Sequence, residues 1–330
     1  MIARVYIAVP FHIALPEGAQ FKVYSYEDEG YLVSVYPPGR SDRPTQGDLP
    51  DKLRMSGVPA FFANALRIHF KKDAFERKSG SPLDPPEAVL RRAVDSFLTR
   101  LRYVTRGAQI QPLLWPNVSW RLRYLTDDEA ELSEEPGEVR GHGTIGFRWS
   151  WVGVDPEVWE HVYSLPRDFI PPVWDDLRLN ALAALPGVGT AVVLAASCLE
   201  VFIANILDGL AKLSSVPPDL WHWLNERGDW LREPTTEEQF DALLKLFTHH
   251  SLKEQPVLWE AFKNLKTARN TFVHEGQAMI GGKPVAADDA QRLLARTTEI
   301  IAWVRQWLPD ELKWPEFESK IVFKIEKAIP

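Results

Sequence analysis

Apolar and polar positions alternate through much of the first 70 residues and recur at helical spacing through most of the second half. Arg4–Val9, Gln20–Tyr26 and Tyr31–Tyr36 have the two-residue period of half-buried strands, with Glu27-Asp28-Glu29-Gly30 as the turn between the last two. Pro37-Pro38-Gly39 closes that unit, and residues 39–60, polar and rich in Pro, Gly and Asp, are expected as loop. Ala65–Lys71 alternates again and predicts another strand. Pro85–Arg106 predicts a helix that starts on proline, its apolar stripe made by Val89, Leu90, Ala93, Phe97, Leu101 and Val104. Gln109–Leu125 and Val139–Trp151 read as further strands on either side of an acidic loop, Asp127 to Glu138.

Residues 152–180 carry Pro156, Pro166, Pro171 and Pro172 among aromatics and are expected as an ordered linker. From 181 the period turns helical. Thr190–Leu213, Asp219–Leu231, a helix starting at the capping box Thr235-Thr236-Glu237-Glu238 and ending near His250, Pro256–His274 and Asp288–Leu308 are the expected helices. Gly281-Gly282 and Pro284 supply the turn before the last. Lys320–Lys327 alternates, so the tail is expected to add a strand, with the N-terminal sheet as its place. The expected fold is α+β: a β-rich domain over 1–151, the linker 152–180, a helical domain over 181–310 and a tail from 311.

Composition is that of a globular protein, with 45% hydrophobic and 25% charged residues and 13 Trp in 330 residues. The net charge is −7, and both halves share it: residues 1–180 hold 22 basic and 25 acidic groups, residues 181–330 hold 16 and 20. Neither half is a basic module, which counts against broad, non-specific nucleic-acid binding but leaves room for a small positive site. The single cysteine, Cys198, rules out an internal disulfide and fits a reducing cytoplasm. Met1–Pro10 is too short for a spanning helix and alternates, so no signal peptide is expected. The apolar run from Ala181 to Leu199 is broken by Pro186, Gly187 and Gly189 and followed by Glu200, Asn205 and Asp208, which predicts a core helix rather than a membrane span.

One hexad carries chemistry: Arg269-Asn270-Thr271-Phe272-Val273-His274, in a helix that ends at Gly276. An imidazole can take a proton from a ribose hydroxyl at neutral pH, and a guanidinium can hold a phosphate. Metal-free RNA cutting needs a base for the 2′-hydroxyl, stabilisation of the phosphorane charge and an acid for the leaving 5′-oxygen. Asn270 and His274 are four apart and share a face. Arg269 and His274 are about 140° apart around an ideal helix, so they converge only where the helix kinks or ends near His274, or where Arg269 reaches around.

This hexad and its surroundings, roughly residues 185–308, resemble the HEPN family. The bare Arg-x4-His spacing says little in a chain with 23 Arg and 8 His. The resemblance rests on Asn directly after Arg, the amphipathic helix holding both, an upstream apolar helix with Ser197-Cys198-Leu199-Glu200, and a final helix over about 286–308. It implies an all-α bundle that pairs into a homodimer, joining two motifs in one cleft. The implied activity is a metal-independent endoribonuclease leaving 2′,3′-cyclic phosphate and 5′-hydroxyl ends, with no cofactor and no metal. Arg269, His274 and Asn270 would be catalytic. Glu200 would contact Arg269 across the bundle, and Lys263 and Lys266 would line the cleft with positive charge. The family setting is prokaryotic defence or a toxin-like effector, with RNA as substrate and a regulatory protein as a further partner.

The plainer readings stay open beside this one. Lys263 and Lys266 also suit a solvated helix face, and Glu200 a structural ion pair. The bundle also suits a non-catalytic dimerisation scaffold carrying a β-rich binding domain. His222, His249 and His250 have no second ligand cluster at metal-site spacing. Cys198 lies in an apolar helix, as core does. Trp149 and Trp151 share a strand face that packing explains more simply than base stacking. Arg92, Arg102 and Arg106 form a stripe on the 85–106 helix, interrupted by Glu87 and Asp95, and read by default as solvated.

Overall fold

The computed structural model describes residues 1–39, 53–75, 84–115, 118, 120–128, 151–225, 233–318 and 320–325. The fold is α+β, and the chain divides into two compact units: Met1–Ile170 with Glu316–Pro330, and Pro171–Pro315.

The first unit is built on an antiparallel sheet. Strand β1 (Ile2–Pro16) lies between β5 (Val58–Lys71) and β6 (Trp120–Leu125), and β3 (Tyr31–Tyr36) flanks β5 on its other side. Strand β2 (Tyr24–Asp28) pairs with β3 through a turn in which Glu29 and Gly30 both have positive φ, 48° and 80°. That geometry matches the twist of the strands it joins. Ala3, Val5, Ile7, Val9 and Phe11 of β1 are fully buried, in one cluster with the apolar stripe of helix α1 (Glu87–Thr105). The intervening positions, Arg4, Tyr6, Ala8 and Pro10, lie on the other face.

Strand β1 runs through Pro10 instead of stopping there. Its register with β5 shifts between Ala8 and Ile13, and a bulge is where a missing backbone N–H removes no ladder bond. The expected loop 39–60 contains a short strand, β4 (Leu53–Met55), and the start of β5. Three residues were too few to show a period. Of the expected strand Gln109–Leu125, the described residues form a strand only at β6, and residues 139–150 of the next expected strand, Trp149 among them, lie outside the described residues. Trp151 opens β7 (Trp151–Gly153), which runs parallel to β1 and packs its indole against Phe62 and Phe323. The tail does add a strand to this sheet: β10 (Phe323–Ile325) pairs antiparallel with β4.

The expected linker 152–180 is not one. Its first part is helix α2 (Pro156–Ser164), capped by the Asp155 carboxylate, which accepts from Val158 N–H at 2.8 Å, and packed into the first unit through Trp159. Its last part opens helix α3 (Val173–Ala184) of the second unit. Pro156, Pro171 and Pro172 stand at helix starts, where a missing N–H costs nothing, and Pro166 lies just past the end of α2.

The second unit is helical. Helix α4 (Val188–Leu213) is its centre, with α3 along one side. It is the one described helix long and apolar enough to cross a membrane, and 56% of its apolar window is buried within the fold. Helix α5 (Pro218–Asn225) follows; the rest of the expected 219–231 helix lies outside the described residues. The capping box forms as expected, Thr235 N–H donating to Glu238 and Glu238 N–H to the Thr235 hydroxyl. It starts α6 (Thr236–Glu238), which continues through a π-turn into α7 (Leu244–Thr248). Helix α8 (Pro256–Glu275) leads to a hairpin, β8 (Met279–Ile280) and β9 (Lys283–Pro284), turned on Gly281 and Gly282 at positive φ. Helix α9 (Ala287–Gln306) completes the bundle.

Candidate functional site

Helix α8 holds the Arg-Asn-His hexad. Leu258, Phe262, Leu265 and Ala268 are buried along one stripe and set the helix against the core. Its end is fixed from both sides. Gly276 at φ 76° returns its N–H to Phe272 O at 2.9 Å, the left-handed stop that Gly allows at little cost. Met279 N–H donates to the Thr271 hydroxyl at 2.8 Å, tying the hairpin back onto the helix. The Phe272 ring fills the space beside Gly189 in the first turn of α4. Gly189 and Thr271 thus place the motif, and neither carried a sequence signal of its own.

The helix stays regular through His274 and stops one residue later. His274 is exposed and has no hydrogen bond or ion pair among the described residues. Arg269 is half-buried: its Nη1 donates to Asn270 Oδ1 at 3.0 Å, while its buried Nε has no partner. Asn270 thus holds one terminal nitrogen of the guanidinium. This meets one of the conditions under which Arg269 and His274 can address one substrate: the helix ends beside the histidine.

The supporting residues are arranged otherwise than expected. No hydrogen bond or ion pair joins Glu200 to Arg269; Glu200 lies beside Lys266, with Thr236 and Leu265 next to both. Helices α4 and α8 run antiparallel, with Phe272 against Gly189 at one end and Leu265 near Leu199 further along. From that anchor Glu200 is about 16 Å along α4, whereas Arg269 is only about 4.5 Å along α8. Lys266 pairs with Glu237 at 2.7 Å and Lys263 with Glu260 at 2.7 Å. The expected positive stripe is therefore already ion-paired at both lysines. Both pairs are largely exposed, and such pairs contribute at most about 1 kcal/mol.

The other candidates serve packing. Burial pushes the Cys198 thiol up to about 12. His250 stacks on Trp307 at 3.5 Å and meets Glu254 at 3.0 Å, while His249 forms the left-handed cap of α7. In the first unit Arg92 pairs with Asp28 and Glu29, Arg102 is buried and bonded to Gln111, and Arg106 lies over the Tyr103 ring. That stripe is not free for phosphates.

No protein-family model, no curated protein and no solved structure matches this chain.

Proposed function

We propose that the helical unit is HEPN-like and that the protein is a metal-independent endoribonuclease of the cytoplasm, acting as a homodimer in a defence or toxin-like setting. The carrying observation is the exposed His274 at the end of α8, with Arg269 bonded to Asn270, the residue one turn before His274. In this reading His274 takes the proton of a ribose 2′-hydroxyl as its oxygen attacks phosphorus. Arg269, with one terminal nitrogen still unbonded, stabilises the charge on the phosphorane. The bond from phosphorus to the 5′-oxygen breaks, and the proton that this oxygen needs comes from the same motif in a second copy.

The test is RNA cleavage in EDTA by wild type and His274→Ala, on tRNA and mRNA, with product ends mapped. Cuts with 2′,3′-cyclic phosphate ends that vanish in the variant, while its helicity and mass in solution are kept, are the expected result. A folded, dimeric wild type that cuts neither RNA overturns the proposal. The result would then favour a non-catalytic dimer scaffold, a reading that the ion-paired Lys263 and Lys266 already suit.

A further inference from the structure

Helices α8 and α9 leave a cleft of about 700 Å³ between them, with the β8–β9 hairpin as its third wall. That volume suits a small molecule. The walls are aliphatic: Val257 and Ala261 on α8, Ile280 in β8, Val285 just after β9 and Leu293 on α9. Val257 is 63% exposed. Among the described residues no aromatic side chain lines the cleft. It is elongated, since Val257 to Asn264 along α8 and Asp289 to Arg296 along α9 each span about 10 Å.

Most of the charged groups at its edge are neutralised locally. Glu260 pairs with Lys263 at 2.7 Å, Asp289 with Arg292, and Arg296 with Glu299, each pair within one helix. Lys283 differs: its ammonium has no ion pair or hydrogen bond among the described residues. Asn264, half-buried in the α8 wall, likewise makes no side-chain hydrogen bond, which leaves its amide two donors and an acceptor. One unpaired cation and one unbonded amide therefore share an otherwise aliphatic cleft.

We propose that this cleft binds a small acyl carboxylate, its chain between Ala261 and Leu293 and its head on the Lys283 ammonium and the Asn264 amide. A single unpaired cation calls for a single negative charge. Walls without a ring to stack on favour a flexible chain over an aromatic acid. The amide N–H would donate to a carboxylate oxygen, a bond that a plain hydrocarbon leaves unmade. Arg269, Asn270 and His274 do not line the cleft, so the site is independent of the nuclease reading.

The test is calorimetric titration of the full chain with sodium decanoate, below its micelle concentration and at neutral pH. Wild type is expected to bind it saturably, at a single site. Lys283→Gln should weaken binding about tenfold and Asn264→Leu about fivefold. Ala261→Phe, which puts a ring into the cleft, should abolish it. Each variant is checked for unchanged circular dichroism and melting. Lys283→Gln and Asn264→Leu remove no bond within the fold, so they decide the matter if Ala261→Phe fails to fold. A folded wild type that binds no decanoate overturns the site, as does full affinity in a folded Ala261→Phe. Decanol bound as tightly as decanoate, or full affinity in Lys283→Gln, overturns the anionic head. Tighter binding of 2-naphthoate overturns the acyl chain. Recruitment to phosphatidylglycerol vesicles without saturable binding of decanoate overturns the free acid as ligand.

Discussion

The Phe272 ring occupies the space that a side chain at Gly189 would need: a Cβ there would lie 1.9 Å from the ring. This contact joins the last turn of α8 to the first turn of α4 and sets where the Arg269–His274 segment ends. Gly189→Ala is therefore expected to lower stability by about 1–3 kcal/mol, the usual cost of overpacking. Urea unfolding monitored by circular dichroism measures it. Phe272→Leu in the same chain should return part of the loss, so the double-mutant cycle should show strong coupling. Additive effects would mean that the two helices do not meet this way.

Arg269→Lys keeps the charge and removes the fork geometry with which the guanidinium meets Asn270 and a phosphate. On the nuclease reading it should reduce cleavage by about 100-fold, and His274→Ala by about 100- to 10,000-fold. Glu200→Gln should change cleavage little, because no bond links Glu200 to Arg269. A Glu200→Gln loss as deep as that of Arg269→Lys would restore the cross-bundle pairing that the packing of α4 and α8 argues against. Single-turnover cleavage of a defined RNA separates these outcomes.

The local signals were legible in the sequence and the long-range ones were not. The stripe of α1, the Thr235–Glu238 capping box, the Gly276 stop and the alternating tail each depend on neighbours within a few residues, and each forms where the pattern put it. The Glu200 partner depends on how far α4 slides along α8, which a single glycine and phenylalanine decide from 83 positions apart. The prolines of 152–180 were misread because proline both ends extended segments and begins helices. Asp155 before Pro156 was the available sign of the second role.

Cys198 offers a check on the core of the helical unit. It is fully buried in α4, and burial raises its thiol to about 12, with the nearby Arg178 pulling the other way and Asp175 adding to the rise. Thiolate is the reactive form, so the native protein should resist a maleimide or disulfide reagent at pH 8. In urea the same thiol should react fully. Labelling followed by mass spectrometry reads both states, and rapid labelling of the native chain would show that α4 is not the centre of a closed bundle.

The last prediction follows from His69. Burial, with Arg4 and Arg67 adding to it, lowers its imidazole from 6.5 to about 4. The unfolded chain then binds a proton that the folded chain refuses between these two values. Stability must therefore fall as pH drops from about 6.5 to about 4, and His69 adds no slope above that window. Tyr36, its ring tilted 40° to the imidazole at 4.2 Å, and Ser34 opposite it supply no charge to offset the effect. His69→Gln keeps an acceptor for Arg4 and removes the titration. Its urea midpoint should depend less steeply on pH across 4 to 6.5 than that of wild type, with the curves running parallel above pH 7. Equal slopes in both proteins would mean that His69 is open to protons in the folded state.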